Sequence, residues 1–375
     1  MARRFRHDPC VLVLTVANGR PTGLALVGWL WKFCSDAWGR ARSMPEGLRS
    51  RGVIFAAIVV MSLSAAAGYV VWTATRGGSS VALAGSGRAS KIRAAPHVVF
   101  QNVGGRAGDD EYAHVAVAGL DEPSQARAGT RLVCERVYFA ADRGLCLASR
   151  HGLLQNGYEV TITGPDFKAR RKLQLAGIPS RARISPDGRY GATTGFVTGH
   201  SYADDNFSTK TVLIDMNRGK VVADLEKDFT VTRNGRRIKN VDFNFWGVTF
   251  AREPGRFFAT LRTGETTYLL EGDLRTRRAR VLHENVECPS LSPDSSRLAY
   301  KKWLGDRWRL HVLNLATMEE TPLADERPVD DQVEWLDNEN VLYGLSADIW
   351  TVPADGKGSP KRFLSQALSP AVVRN

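Results

Sequence analysis

The sequence carries little of what familiar chemistries require. Its five cysteines include no C-x-x-C pair, which removes the usual frameworks of a structural zinc site. No P-loop, G-x-G-x-x-G, H-E-x-x-H or EF-hand pattern occurs, so the common cradles for nucleotide phosphates, dinucleotides, catalytic zinc and calcium are missing too. Lys and Arg number 51 against 39 Asp and Glu, yet they form no run beyond short pairs and triplets such as Arg170-Arg171-Lys172. A nucleic-acid binder concentrates such charge on one face and interleaves aromatics; no nucleic acid is expected here. Long amphipathic helical periodicity is also lacking after His97.

What is present first is one apolar run. Val53–Thr73 holds 21 residues without a charge, about the 20 that a helix needs to span a bilayer core. Before it, Arg3, Arg4, Arg6, Arg20, Lys32, Arg40, Arg42, Arg49 and Arg51 stand against Asp8, Asp36 and Glu46, half of the formal charge of +12. That basic leader, residues 1–52, is expected to be cytoplasmic and disordered in part, with residues 53–75 as a signal anchor. Arg76, Arg88, Lys91 and Arg93 follow the span and weaken the asymmetry. Two alternatives stand beside the anchor: cleavage near Ala82-Leu83-Ala84, and a true start at Met44. Residues 76–95, rich in Gly, Ser and Ala, read as a flexible linker.

From residue 96 to 375 the texture is all-β. Short runs such as HVVF, YEVTITG, TVLIDM, RLHVLNL and DIWTVPADG alternate with Gly, Asp, Asn and Pro turns. The runs repeat. Arg183-Ile184-Ser185-Pro186-Asp187-Gly188-Arg189-Tyr190 reads as strand, turn, strand, and Ser290–Tyr300 and Val333–Tyr343 copy it. Phe250–Phe258 and Tyr138–Leu145 are weaker copies. Aligned turns at 142, 187, 254, 294 and 337 are spaced by 45, 67, 40 and 43 residues. The 67 is one repeat plus an insertion, divided between Thr198–Phe207 and Asp228–Gly235. A period of about 40–45 residues with four strands per unit is that of a β-propeller blade; a sandwich or solenoid is the alternative. Five blades are visible, and His97–Ala128 adds a sixth that starts one strand late. The segment Ala367–Val373 is placed to supply the missing strand, closing a ring that has no exposed edge at the junction.

The Ser-Pro-Asp turns followed by "HVLNL" and "DIWTVPADG" strands resemble the repeats of TolB-like propellers, the WD-like repeat class. The clear match covers three repeats. The resemblance implies a six-bladed propeller outside the cytoplasm that binds proteins or envelope components. TolB proper carries a small α/β domain ahead of its propeller, where this chain has its apolar run and linker, so the role of that domain does not carry over. The Ala-, Arg- and Gly-rich composition resembles that of high-GC actinobacterial proteins, among which membrane-anchored TolB-like proteins of this size occur.

Several groups of residues are candidates for function. Gly199-His200-Ser201-Tyr202-Ala203 looks like a nucleophile elbow with its last glycine lost, but the strand-to-helix turn and hydrolase domain that such a motif needs are not indicated. Beside it, His200, Asp204, Asp205 and Asn206 offer oxygen and imidazole ligands for a partner or a loop-bound Ca²⁺, with a solvated acidic turn as the plainer alternative. Asp330-Asp331 reads as the same kind of turn. Trp303 and Trp308, flanking Gly305-Asp306-Arg307, are candidates for an exposed binding rim. In an oxidising compartment Cys134 and Cys146 are expected to form a disulfide, leaving Cys288 free; three buried thiols are the alternative. Their strands leave them a few residues out of register, so a bulge is required. The expected whole is a monomeric propeller, held to the membrane through Val53–Thr73, that acts as a binding or scaffold module for a protein or cell-envelope partner, without metal or cofactor. The rival is a propeller enzyme, a metal-assisted lactonase or a glycan-acting lyase or hydrolase, with its site in the central channel. Asp242, Glu287 and Glu334 are the carboxylates near inner strands whose proximity such an enzyme requires.

Overall fold

The computed structural model describes residues 58–64, 86–104, 112–121, 123, 127–150, 157–203 and 206–374. Residues 58–64 are helical, while the remainder of Val53–Thr73 lies outside the described residues. Among the described residues no helix is long and apolar enough to cross a membrane.

Inside the stretch expected as linker, Ser86–Ile92 forms a short helix, α1, with Ala89 packed against the first blade. Six sheets follow, each with an antiparallel four-stranded blade at its heart. Blade 1 holds β1 (His97–Asn102), β2 (His114–Gly119) and β3 (Arg127–Val133). Blade 2 holds β4 (Arg136–Ala140), β5 (Arg143–Arg150), β6 (Gly157–Thr163) and β7 (Ala169–Leu175). Blade 3 holds β8 (Ile178–Ile184), β9 (Tyr190–Thr198), β10 (Ser208–Asp215) and β11 (Lys220–Asp224). The insertion then adds helix α2 (Leu225–Asp228) and a hairpin, β12 (Thr230–Arg233) and β13 (Arg236–Ile238). Blade 4 holds β14 (Asn244–Phe250), β15 (Arg256–Thr263), β16 (Thr266–Asp273) and β17 (Arg278–Glu284), and the inserted hairpin extends its outer edge by pairing β12 parallel to β17. Blade 5 holds β18 (Glu287–Leu291), β19 (Arg297–Trp303), β20 (Trp308–Asn314) and β21 (Glu320–Pro322). Blade 6 holds β22 (Glu334–Trp335), β23 (Asn340–Leu345), β24 (Asp348–Pro353) and β25 (Lys361–Leu364). Finally β26 (Ala367–Val373) returns to blade 1 and pairs antiparallel with β1 as its innermost strand. The ring closes as the repeat pattern requires.

The core has the distribution that a ring of blades dictates. A four-stranded sheet cannot bury its own faces, so apolar side chains collect between neighbours. One cluster fills each of the six blade interfaces, and the alternating residues of β1 show how: Val98 and Phe100 pack toward blade 6, while Val99 packs toward blade 2. The cluster between blades 3 and 4 holds Phe245, Phe250, Phe257 and Tyr268.

The repeated turns owe their shape to one hydrogen-bonding scheme. Ser185 Oγ donates to Asp187 Oδ1 (2.6 Å), which also accepts from Arg189 N (3.0 Å), and Gly188 supplies φ +67°. In blade 5, Ser292 Oγ donates to Asp294 Oδ1 (2.6 Å) and Ser296 N donates to the same oxygen (3.0 Å). In blade 6, Asp337 Oδ1 accepts from Glu339 N and Asn340 N, each at 2.7 Å. The Ser292 hydroxyl and the Ser296 amide hold the Asp294 carboxyl down at about 2. An unfolded Asp titrates near 3.9, so this turn's contribution is full above about pH 4 and is lost as pH falls through about 2. Asp294 is exposed, and solvent screening trims the effect to about 1 kcal/mol. Asp294→Ala is therefore expected to lower the urea midpoint at pH 7 and to flatten the dependence of that midpoint between pH 4 and pH 2.

Cys134 and Cys146 form a disulfide, with Cα atoms 5.4 Å apart, and Cys288 is free and buried. In the β4–β5 ladder Cys146 stands opposite Val137. Cys134 reaches it from the irregular chain ahead of β4, where Glu135 N donates to Leu147 O (2.9 Å). The bridge closes a short loop between the chain leaving blade 1 and the second strand of blade 2. On chain-entropy grounds, replacing both cysteines by serine costs about 3 kcal/mol. Comparing urea unfolding of the oxidised protein, the reduced protein and the double variant checks this; identical midpoints for all three would refute it.

Candidate functional site

The inner strands β26, β4, β8, β14, β18 and β22 neighbour one another around the axis. In blades 2 to 6 the inner strand turns at one end of the ring into the blade's second strand, and β26 ends at that same end without a turn into β1. The opposite end carries the loops between second and third strands. The two ends have different chemistry.

At the inner-turn end lies a cavity of about 230 Å³, lined by Tyr138, Arg183, Arg252, Ser290, Glu334 and Arg374 among others. Arg183 is buried. It donates to Val333 O (2.7 Å), lies 3.7 Å from Glu334 and covers the Tyr138 ring at 4.5 Å. Burial raises the Glu334 carboxyl against the opposing pull of Arg183 and Arg374.

At the other end, among the loops of blades 3, 4 and 5, lies a pocket of about 360 Å³ with aromatic walls. The loop from β9 to β10 places Tyr202 and Phe207 in it. Tyr202 stacks on Trp246 of β14 at 4.8 Å and 27°, and Phe207 meets the same indole edge-on at 5.4 Å. Across the pocket the β19–β20 hairpin contributes Trp303 and Trp308, packed T-shaped at 4.8 Å. Trp308 is buried and donates Nε1–H to Glu287 Oε1 (2.9 Å), whereas Trp303 is 39 % exposed and Leu304 beside it 43 %. The aromatic edges fit together because tilted and edge-on arrangements set the positive rim of one ring on the negative face of another.

Beneath these rings lies a charged layer. The ammonium of Lys301, fully buried, sits 3.9 Å from the Trp308 ring centre and 4.8 Å from that of Tyr202. It donates to Asp330 and lies 3.6 Å from Glu287. Arg181 approaches Asp330 at 3.8 Å and covers Tyr202 at 5.1 Å. Burial alone would raise the Asp330 carboxyl, but Lys301 and Arg181 hold it below the ordinary range. For Glu287 burial wins over the pull of Lys301, and its carboxyl is raised. Burial also pushes up the Tyr202 phenol, which shares a 2.5 Å hydrogen bond with Ser180 Oγ. The layer fixes the aromatic walls from below.

The solved structures place this architecture. TolB of Acinetobacter baumannii superposes with a TM-score of 0.52 at 14 % identity, covering 75 % of this chain and 67 % of that one. This chain has the fold of a TolB-type β-propeller. A protein of Agrobacterium tumefaciens assigned as TolB aligns at 11 % identity over 72 % of this chain and 88 % of its own, with a TM-score of 0.44. No family model matches the sequence, and no curated protein matches it.

Of the residues singled out in the sequence, Trp303 and Trp308 line the aromatic pocket of this TolB-type propeller. His200 and Asn206 are exposed in the loop that supplies Tyr202 and Phe207. Asp204 and Asp205 lie outside the described residues. Among the described residues no group of three His, Cys, Asp or Glu is arranged to hold a metal. Gly199–Ala203 lies between β9 and β10, and among the described residues the next element is β10. Asp330 and Asp331 are more than a solvated turn: Asp330 pairs with Lys301, and Asp331 Oδ2 accepts from Gly344 N (2.8 Å). The three carboxylates picked for proximity serve separate places. Glu287 belongs to the aromatic pocket and Glu334 to the opposite cavity, while Asp242 caps the β15–β16 turn through Thr263 Oγ1 (2.8 Å) and Gly264 N (2.6 Å). Tyr202, Trp246, Lys301 and Arg181 were not legible as site residues, because each comes from a different segment and only ring closure assembles them.

Proposed function

We propose that this chain is a membrane-anchored, extracytoplasmic binding module whose propeller engages a protein or cell-envelope partner through the loop face holding the aromatic pocket. The observation that carries the reading is the pairing of exposed Trp303 and Leu304 with a deep aromatic floor. Large rings in a recess, rimmed by polar groups, are the composition of interface hot spots. The channel carboxylates favour binding over catalysis, since Asp330 and Glu334 are already engaged by Lys301, Arg181 and Arg183. The disulfide supports an oxidising compartment, and the uncharged run after a basic leader supports an anchor with the propeller outside.

A photoreactive benzoylphenylalanine in place of Trp303, in the full chain in intact cells, tests this. A reproducible envelope adduct is expected, absent when the same group replaces Arg171 on the outer strand β7. Protease added outside protoplasts is expected to digest the propeller. Equal labelling from both positions, or a propeller protected from external protease, would overturn the reading.

A further inference from the structure

We propose that the aromatic pocket binds a neutral saccharide, an inference that rests on reading this loop face as the binding face. A pyranose ring presents C–H bonds on one flat face and hydroxyls around its edge. It therefore asks for an aromatic platform beside planar groups that donate and accept hydrogen bonds.

The pocket supplies both. The exposed indole of Trp303, backed by Trp308, forms an outer platform, and the stacked Tyr202–Trp246 pair forms an inner wall. At the edge, Arg262 lies over the Phe207 ring at 4.8 Å and uses Nε to donate to Gly264 O (3.2 Å), with its Nη groups in no ion pair or hydrogen bond among the described residues. Glu265, also lining the pocket, stands in no ion pair among the described residues. A guanidinium and a carboxylate are planar side chains that can meet neighbouring hydroxyls two at a time.

Charge decides between ligand classes. The lining carries Arg262 and Glu265, one charge of each sign, and Glu287 lies 3.6 Å from Lys301, so the lining is close to neutral. A cationic ligand would find its aromatic cage already filled by the Lys301 ammonium. An anion would find one guanidinium facing two carboxylates. The volume of about 360 Å³ lies within the range of small-ligand sites, about 300–1,000 Å³.

The three tryptophans of the pocket make it its own reporter. Full-length protein in a sugar-free detergent is titrated with triacetylchitotriose, cellotriose, mannotriose, galactotriose and xylotriose while indole emission is followed. At least one is expected to give a saturable quench or blue shift. Trp303→Ala, at a surface position that leaves the core intact, is expected to weaken it by about tenfold or more, as loss of a hot-spot ring does. Trp303→Phe retains most of the affinity, and Glu265→Gln, also exposed, weakens it. No saturable response from any of the five, or unchanged binding in Trp303→Ala, overturns the assignment. So does saturable binding of a proline-rich decapeptide or of tetramethylammonium in their place. The photo-crosslinking outcome is separate: a protein adduct from position 303 without saccharide binding keeps the binding-module reading and removes the saccharide.

Discussion

Replacing Lys301 by Met is expected to destabilise the propeller by about 3–5 kcal/mol at pH 7, the cost of removing one partner from a buried ion pair. Methionine keeps most of the stem's volume, so the loss is chiefly electrostatic. The ammonium is fully buried between Trp308 and Tyr202, and it faces Glu287 and Asp330. Without it Asp330 retains Arg181 at 3.8 Å, while among the described residues Glu287 retains the Trp308 N–H alone. The pH dependence then has a definite sign. Glu287 is already raised by burial with Lys301 in place, and losing that cation raises it further. A carboxyl whose folded value lies above its unfolded value of about 4.3 holds its proton more tightly when folded. The deficit of the variant is therefore small below about pH 4 and grows as pH rises through the folded value. Combining Lys301→Met with Glu287→Gln is expected to restore part of the loss and to remove its pH dependence. Urea denaturation of the single and double variants between pH 4 and pH 8 measures this. A single variant with unchanged stability at pH 7 would mean that the pair is not buried in solution as it is here.

The same lysine shows where sequence reading stops. Nothing in the sequence marks Lys301 as a site residue, and Asp330-Asp331 reads as a solvated turn. The blade repeat was legible because its information is local. A Ser-Pro-Asp turn carries its own hydrogen bonds within five residues, as Ser185, Asp187 and Tyr190 show, and copies of it mark the register of each blade. The extra residues between the turns at 187 and 254 were legible as an insertion, and they form the β9–β10 loop, α2 and the β12–β13 hairpin. The pocket was legible only at its rim. Trp303 and Trp308 stand out as large rings beside a turn, but the groups that hold them in place come from residues 181, 202, 246, 287 and 330, in blades 3, 4 and 5 and the strand connection after them. No periodicity links those positions. They meet because inner strands distant in sequence become neighbours when the ring closes.

Closure itself is the second large effect. Removing residues 367–375 is expected to abolish the cooperative native state, since β26 joins two interfaces that nothing else completes. Ala371 and Val373 belong to the cluster between blades 1 and 2, and Ala367 and Val372 to the cluster between blades 6 and 1. The strand also pairs with β1 from His97↔Val373 to Asn102↔Ala367. Beyond it, Arg374 donates to Trp335 O and, at 3.3 Å, to Leu336 O of blade 6. Each buried valine contributes about 1.5–3 kcal/mol, and the exposed edge of β1 leaves backbone groups unpaired. The total is on the order of the 5–15 kcal/mol that stabilises a whole domain. A milder variant isolates the packing from the truncation. Ala371→Asp leaves the strand in place but puts a carboxylate at a fully buried position, at a cost of several kcal/mol. Hydrogen exchange distinguishes global from local failure. If closure holds the ring together, amides of β15 and β16, on the far side, lose protection along with those of β1. If only β1 and β2 lose protection, each blade is stabilised by its neighbours alone, and the junction is one interface among six rather than the element on which the others depend.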